Sequence, residues 1–448
     1  MTQTDTILAQ RFGFGLRMGH PPPAAPAAQL DGPDTMAARY PGDSVADLLT
    51  GHLAFRQSRR AHGPEHPETE ALRRNLIQAD TAAVQRAIAR ALASPAPFRE
   101  RLVQFWANHF TTRANARILR ATVSAHVDQA IRPHVTGRFA PMLRAAILHP
   151  AMLRFLDQPR SVGPGSPFGQ RRGRGLNENL AREVLELHTL GVQGGYGQGD
   201  VRAMALLLTG LVVDADGQTA FARNRAEPGR FAILGRHYGG DGRPRLADIE
   251  AALDDLAAHP DTARHLCTKL AAHFVADDPP ADLVADLVSI WQASDGDLRA
   301  VSAALADHPR AQAAPLTKAR RPLDFLIAAL AALGVTGREV MGWQQGMVRR
   351  LVVHPLIAMG QPWAEPRGPD GWAEGFDAWI TPQGLAARID WAMTAPARLR
   401  PVLPDARAFV DHALGPLGDD HLRRLVAGAE LQAEGVGLVL AAPAFNRR

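Results

Sequence analysis

The hydrophobic pattern of the chain predicts a mainly helical protein. Apolar residues recur every three or four positions along most of its length, which is the period of an amphipathic α-helix. Several of these segments begin with Ser, Asp or Pro, residue types that suit the start of a helix. The predicted helices cover residues 43–61, 67–93, 97–108, 115–133, 138–155, 177–191, 199–210, 246–258, 260–276, 280–293, 297–307, 319–334, 338–353, 383–394, 403–415 and 418–433.

Strand signals are confined to residues 211–235. Two short apolar runs, Leu211–Val213 and residues 218–221, flank an Asp-Gly pair that is typical of a hairpin turn. Residues 231–234 have the composition of a third strand. The sequence therefore predicts a large multi-helix globular fold, mainly α, with a small β-hairpin or ribbon.

The composition is that of a soluble globular protein. Of the 448 residues, 46% are hydrophobic and 21% are charged, so the chain has enough apolar residues to fill a core. The longest apolar runs, 204–213 and 325–335, are shorter than the roughly 20 residues that cross a bilayer. Because the N-terminus lacks the pattern of a signal peptide, we expect a cytoplasmic protein with no transmembrane segment.

The charge and cysteine content exclude several classes of partner and site. The formal net charge is +5, and nearly all of the positive charge is arginine, since lysine occurs only at Lys269 and Lys318. No basic run alternates with aromatic residues, so the sequence predicts no nucleic-acid partner. The single cysteine, Cys267, excludes disulfide bonds within the chain and a zinc site built from several thiolates.

The chain shows no fixed internal repeat, and its best candidate boundary lies near residues 311–318, before a more apolar C-terminal third. We therefore predict a main helical domain over residues 1–315, with a C-terminal helical subdomain over 316–448 packed on it. Residues 159–176 form a long loop that is rich in Gly, Pro and Arg. We expect this loop to close over a site or to dock on an acidic surface, through Arg160, Arg171, Arg172 and Arg174.

The densest polar segment is the predicted helix 177–190. With about 100° of rotation per residue, one of its faces is polar and the other is apolar and includes His188. The polar face carries Glu178, Asn179, Arg182, Glu183 and Glu186. This face is either a solvated ladder of i,i+4 ion pairs or the wall of a cleft whose carboxylates bind a divalent cation or transfer protons. In the second case we expect the face to be buried, with Arg182 between Glu178 and Glu186. A histidine among leucines is more often a satisfied core residue, so His188 ranks below the carboxylates.

Two further segments contain candidate polar residues. At the end of helix 97–108, Asn108 and His109 either complete the helix terminus or supply a base or metal ligand. On helix 260–276, His265, Lys269 and His273 form one stripe, and the positive charge between two histidines favours a structural role over metal binding. Asp157 precedes the basic loop and is either a turn residue or a further carboxylate.

Taken together, these segments resemble the bacterial DUF1800 family over essentially the whole chain. The motifs that carry the resemblance are Arg11-Phe-Gly-Phe-Gly15, Phe105-Trp-Ala-Asn-His-Phe110, residues 152–158, the Asn-Glu-Asn segment 177–191, residues 195–198 and 208–210, residues 259–280, and Ala442-Pro-Ala-Phe-Asn-Arg-Arg448. The resemblance implies a mostly helical fold. It also implies a gene that often lies beside one for a DUF1501 protein, which resembles the sulfatase and phosphatase superfamily.

Two functions remain open from the sequence. The first is an enzyme with a His/Glu/Asn/Arg site between helices 97–108 and 177–190, with a divalent metal ion as a candidate cofactor. Its predicted catalytic residues are His109, Arg182, Glu183 and Glu186. Its predicted binding residues are Asn108, Asp157, Asn177, Glu178 and Asn179. The candidate metal ligands are His109, Glu183 and Glu186.

The alternative is a non-catalytic partner or maturation factor for a DUF1501-type protein. The enzyme hypothesis predicts that the His109 ring lies near Glu183 or Glu186 at the floor of an accessible pocket. The partner hypothesis predicts instead that His109 caps its own helix and that an exposed apolar patch lies within residues 319–360.

Overall fold

A computed structural model describes residues 2–20, 23–172, 175–240 and 242–448 and confirms a mainly α fold. The helices of the N-terminal part are α1 (Gln3–Phe12), α2 (Thr35–Arg39), α3 (Val45–His62), α4 (Pro67–Ala93), α5 (Pro97–His109), α6 (Ala121–His126), α7 (Phe139–Ile147), α8 (Pro150–Phe155), α9 (Pro167–Arg172), α10 (Asn179–Glu183) and α11 (Gln198–Leu207). The helices that follow are α12 (Leu246–Ala257), α13 (Pro260–Phe274), α14 (Ala281–Ala293), α15 (Leu298–Asp307), α16 (Pro309–Gln312), α17 (Pro322–Ala332), α18 (Gly337–Met341), α19 (Gln345–Val348), α20 (His354–Ala358), α21 (Pro382–Leu399), α22 (Ala406–Leu414), α23 (Asp420–Ala427), α24 (Gln432–Ala441) and α25 (Pro443–Asn446).

The helix starts follow from local residue types. Pro97 and Pro260 occupy the first turns of α5 and α13, where a missing amide proton costs little. The hydroxyl of Ser44 and the carboxylate of Asp297 accept backbone N–H groups at the starts of α3 and α15. The predicted helix 138–155 is divided at Pro150, which begins α8.

Segments of π-helix interrupt the regular helical pattern in the described residues. They are Val127–Ile131, Val184–Thr189 and Arg349–Val353. The second one continues α10, so the predicted helix 177–191 is α-helical only in its first part. Here the amide of Leu190 donates to the carbonyl of Leu185 at 3.0 Å, and the Thr189 hydroxyl donates to the carbonyl of Val184 at 2.7 Å. π-Helical turns are frequent at functional sites because they change which side chains and carbonyls face a neighbour.

The β structure consists of two separate antiparallel hairpins. Strands β1 (Leu211–Val213) and β2 (Thr219–Phe221) pair with Leu211 opposite Phe221, as the Asp-Gly turn predicts. The third strand predicted at residues 231–234 is confirmed as β3 (Arg230–Ile233). It pairs with β4 (Arg236–Gly239) rather than with the first hairpin. The sequence did not predict β4, because this strand begins with exposed polar residues.

The buried apolar residues form two large clusters. One includes residues between Phe12 and Ala311, and the other consists mostly of residues between Phe325 and Phe445. Helix α4 also contributes Val84, Ile88 and Leu92 to the second cluster. The division into residues 1–315 and 316–448 stays a prediction. None of the described helices combines the length and hydrophobicity that a bilayer span requires.

Residues 361–374 form an irregular segment, here called the strap, that lies across the end of α5. The side chain of Asn108 fixes it: Nδ2 donates to the Trp372 carbonyl at 3.1 Å, and the Trp372 amide donates to Oδ1 at 2.7 Å. Gly371 has a φ of +79°, and a Cβ there would lie 2.5 Å from the Asn108 carbonyl oxygen. The strap therefore needs glycine at this position.

The described part of the basic loop 159–176 is packed against the chain around residues 225–227. The Gly163 amide donates to the Arg225 carbonyl at 2.9 Å, and the Gly165 amide donates to the Glu227 carboxylate at 2.7 Å. Arg171 and Arg172 are exposed, whereas Arg174 lies outside the described residues. Closure over a site and docking on an acidic surface remain predictions for this loop.

Candidate active site around Lys269

The polar face of α10 and the π-helix after it is only half-buried. Arg182 is exposed, lies 3.5 Å from the Glu178 carboxylate and donates to Gln198 at 3.2 Å. Glu186 is not within ion-pair distance of Arg182, so the expected position of Arg182 between Glu178 and Glu186 is wrong. Of the predicted i,i+4 ladder on this face, only the Glu178–Arg182 contact forms.

Three other predicted binding residues build the turn before α10. Asn177 donates through Nδ2 to the Leu156 carbonyl at 3.0 Å, and its Oδ1 accepts the Asn179 amide at 3.0 Å. Asn179 is exposed. Asp157 is also exposed and has a φ of 54°, a conformation that Asp tolerates in turns. The side chain of Asn177 therefore holds backbone groups here, as that of Asn108 does on the strap.

His109 is buried, and both of its ring nitrogens have a hydrogen-bond partner. Nδ1 lies 3.0 Å from Nζ of Lys269, and Nε2 lies 3.3 Å from the carbonyl oxygen of His188. An ammonium group can only donate, so Nδ1 accepts and Nε2–H donates to the carbonyl. Burial, followed by the charge of Lys269, holds the pKa of His109 well below its usual value. His109 is therefore a neutral acceptor with a fixed tautomer.

His188 packs against His109 and Phe110, with ring centroids 5.5 and 5.2 Å away. It is a buried core residue, as expected, but neither of its ring nitrogens has a hydrogen-bond partner in the described residues. Burial is the main cause that lowers its pKa to about 3. His188 contributes its carbonyl, rather than its ring, to the hydrogen-bonded chain that reaches Lys269.

Helix α13 contacts this region through three side chains. The side chain of His265 faces the end of the π-helix, and that of Lys269 faces the end of α5. The side chain of His273 faces the strap. Nε2 of His265 lies 3.2 Å from the Leu187 carbonyl, so two histidines satisfy successive carbonyls where the helix ends. The interpretation of this stripe as a purely structural helix missed that it meets the His109 segment.

The positive charge of Lys269 has no carboxylate partner in direct contact among the described residues. It is partly exposed, and no carboxylate of the described residues lies within 4.0 Å of its ammonium nitrogen. Its hydrogen-bond partner, His109, is neutral and does not balance the charge. Burial is the main cause that lowers the pKa of Lys269 to about 8, although the charge of Glu374 opposes the shift.

Glu183 is perturbed in the opposite direction. Burial, followed by the charges of Glu186 and Asp370, raises its pKa to about 7. Asp370 belongs to the strap and acts electrostatically on Glu183 and on Lys269 alike. An amine and a carboxyl that both titrate near neutral pH, on neighbouring elements, are suited to proton transfer.

The metal ligand set predicted from His109, Glu183 and Glu186 is not assembled. No three His, Cys, Asp or Glu side chains among the described residues converge on a position for a metal ion. The physical reason is that Lys269 occupies Nδ1 of His109 and a backbone carbonyl occupies Nε2, so neither nitrogen is free to bind a metal.

A buried ionic network adjoins the site through Glu374. His273 donates through Nδ1 to Glu374 at 2.8 Å, and Arg321 pairs with the same carboxylate. Lys318 pairs with Asp277 and donates to the Glu374 carbonyl at 2.6 Å. Lys318 therefore contacts Glu374 directly, and the charge of the same strap residue acts on the second lysine of the chain, Lys269. Their rarity among fifty Lys and Arg residues was the sequence signal for this region.

Comparison with known proteins gives one match. The family model described as "Protein of unknown function (DUF1800)" matches residues 7–447. No curated protein and no solved structure matches the chain.

Proposed function

The chain belongs to the DUF1800 family, and we propose that the protein is an enzyme that transfers protons. The amine of Lys269 is the base, and the carboxyl of Glu183 is the acid. The charge of Asp370 acts on both groups and raises the cost of ionising Glu183. The observation that carries the proposal is the partly exposed Lys269 ammonium, which donates to a neutral histidine and has no carboxylate within ion-pair distance among the described residues.

In this proposal His109 is a positioning residue rather than a catalytic residue. It is 2% exposed, so a substrate meets Lys269 and not the imidazole. Its hydrogen bond to the His188 carbonyl fixes the acceptor Nδ1, which orients the amine. The metal-dependent form of the hypothesis is not retained, because both ring nitrogens of His109 have other partners.

Selective acylation of the two lysines tests the state of the amine. The intact chain is treated with acetic anhydride between about pH 6 and pH 11, and modification of each lysine is measured by mass spectrometry. We expect Lys269 to reach half-maximal reactivity at about pH 8. Lys318 is the internal control, because it is 1% exposed and paired with Asp277, and it should react poorly. A midpoint above about 10 at Lys269, or no reaction there, would contradict the proposal.

Turnover tests the reaction itself. The protein is incubated with a small-molecule extract in heavy water, and deuterium incorporation into metabolites is followed by mass spectrometry. We expect incorporation that disappears in Lys269→Met and falls in Glu183→Gln. Arg264→Met, which changes an exposed residue on the helix that carries Lys269, should retain it. Incorporation that is equal in Lys269→Met and the wild-type chain would overturn the assignment.

A partner role for a DUF1501-type protein is the second candidate. The observation that favours it is an apolar surface on two helices that pack together, α20 and α21, where Ile357, Leu385 and Ile389 are 53%, 37% and 41% exposed. His109, however, does not cap its own helix as that hypothesis predicts. Co-expression with a DUF1501-type protein tests the role. Binding that is lost in Ile357→Asp and kept in Lys269→Met would favour it over the enzyme.

A further inference from the structure

A cleft of about 530 Å³ is lined by the last residues of α2 and α4, the first residues of α18 and the segment that follows α1. This volume lies within the range of about 300–1,000 Å³ that is usual for small-molecule sites. The apolar part of its wall consists of Met18, Leu92, Pro95, Ala331 and Val335. Neither Lys269 nor Glu183 lines the cleft, so the inference does not depend on the proposed function.

The charged residues of the wall are all cations. They are Arg17, Arg39 and Arg338, and no Asp or Glu of the described residues lines the cleft. None of the three guanidinium groups lies within 4.0 Å of a carboxylate oxygen in the described part of the chain. By contrast Arg90, one turn before the end of α4, pairs with Asp128. The three arginines therefore face one cleft without the acidic partners that arginines have nearby.

The acids around the cleft have arginine partners of their own. Glu339, which follows Arg338, lies 2.6 Å from Arg400. Three further acids form a cluster with three arginines outside the cleft, so that its charges balance: Asp34, Glu100 and Asp128 with Arg90, Arg99 and Arg132. These acids are matched, and the positive charge of the cleft is left uncompensated.

Close packing brings two of the arginines together. The position that a Cβ of Gly337 would occupy lies 2.8 Å from the hydroxyl oxygen of Tyr40. Arg39 and Arg338 are the chain neighbours of these two residues, so they lie where α2 and α18 meet. Both arginines are exposed, and neither side chain makes a hydrogen bond in the described residues. Their N–H groups are thus available to a ligand.

Arg17 is half-buried beside them at the end of α4. Its guanidinium donates to the carbonyls of Ala91 at 2.6 Å and Ser94 at 3.0 Å, which occupies two of its five N–H groups. Its Nε makes no hydrogen bond in the described residues and is not closed off from solvent. Burial lowers the pKa of Arg17 to about 10, although the charge of Glu100 opposes the shift. Two neutral carbonyls therefore hold Arg17 in place without balancing its charge.

Guanidinium groups suit phosphate, because their paired N–H donors match its oxygens, and cations that face one cleft lower the free energy of a bound dianion. We propose that the cleft binds a phosphomonoester that carries an apolar group. The phosphate accepts from Arg17, Arg39 and Arg338, and the apolar group packs against the apolar part of the wall.

Three probes of similar size test the ligand class: phenyl phosphate, phenyl sulfate and neutral benzyl alcohol. At about pH 8 the phosphate is doubly charged and the sulfate singly charged. Calorimetry with the full chain at low salt should give a dissociation constant below about 1 mM for phenyl phosphate and one at least about tenfold weaker for phenyl sulfate. Benzyl alcohol should not bind. Equal affinity for phosphate and sulfate, or no binding of any probe, would overturn the proposal.

Two variants locate the binding. Arg39→Met and Arg338→Met each remove an exposed cation that has no partner in the described residues, so both should keep the wild-type melting curve and weaken phenyl phosphate binding about tenfold. Arg424→Met is the matched control, because this exposed arginine of α23 does not line the cleft. Unchanged affinity in the first two variants, or an equal loss in the control, would contradict the assignment.

Vesicles distinguish the two sources of such an ester. Phosphatidylcholine vesicles with and without phosphatidate are sedimented with the wild-type chain and with Arg338→Met. Sedimentation that requires phosphatidate and is lost in the variant would support the proposal with a lipid headgroup as the ligand. Binding of phenyl phosphate without sedimentation would support it with a soluble ester.

Discussion

At the scale of the residue, the chain uses arginine in two physically different ways. Arg182 extends from a half-buried helix face, and 44% of its side chain is exposed. Arg132 is 4% exposed on its side chain and lies 2.7 Å from Glu100 and 3.0 Å from Asp34. The helical pattern marks the face on which each residue lies, whereas packing decides which charges leave the solvent.

The same substitution is predicted to have a small effect at one of these arginines and a large effect at the other. Arg182→Met should lower the free energy of unfolding by less than about 1 kcal/mol, because exposed ion pairs are screened by water and salt. Arg132→Met leaves the buried Glu100 carboxylate without its partner and should cost about 3–5 kcal/mol. Denaturant unfolding measures both values. A loss at Arg182 as large as that at Arg132 would show that the polar face is buried in solution.

At the scale of the element, the strap and the π-helix arrange the candidate site. The π-helix places the carbonyls of Leu187 and His188 before His265 and His109. The strap supplies Asp370, whose charge acts on Glu183 and Lys269, and Trp372, whose backbone pairs with the Asn108 side chain. Neither element has a distinctive pattern, because a π-turn keeps the apolar spacing of a helix and the strap has no periodicity.

The strap predicts a contrast between two glycines and their alanine variants. Gly371→Ala puts a Cβ at positive φ and 2.7 Å from the Thr111 hydroxyl oxygen, so it should destabilise the protein by about 1–3 kcal/mol. Gly375, just after the strap, has a φ of −65°, and no atom lies within 4 Å of the position that a Cβ would occupy there. Gly375→Ala should therefore be neutral or stabilise by about 0.4–1 kcal/mol. Thermal melts and hydrogen exchange of residues 361–374 check both, and faster exchange in Gly375→Ala alone would be inconsistent with this account.

At the scale of the whole molecule, one buried carboxylate connects regions that are distant in sequence. Asp324 of α17 pairs with Arg101 of α5 and lies near Arg448 after α25. Burial by itself would raise the pKa of Asp324, but the charges of Arg101 and Arg448 outweigh it and hold the pKa below its usual range. The carboxylate therefore stabilises the folded state above about pH 4 and loses that contribution as the pH falls further.

Asp324→Asn should consequently cost about 3–5 kcal/mol at neutral pH, because it leaves buried guanidinium groups facing one another. The difference in melting temperature from the wild-type chain should shrink as the pH is lowered below about 4. Melting curves between neutral and acidic pH measure this. A difference that stays constant with pH would show that the amide disturbs packing rather than charge.

Local sequence patterns were sufficient to predict most of the helices and the hairpin between Leu211 and Phe221, because periodicity, caps and turn residues act over a few positions. They did not predict α1 or most of α24. Membership of the family followed from short motifs along the chain. The local patterns also marked Asn108 and His109 at a helix end, and Glu183 on the polar face of a helix, as candidate functional residues. The partners of these residues became visible only in the folded chain. His109 meets Lys269 across 160 residues, and Asn108 meets Trp372 across 264. Such pairings depend on how distant helices pack, and no local pattern of hydrophobic and polar residues records that packing.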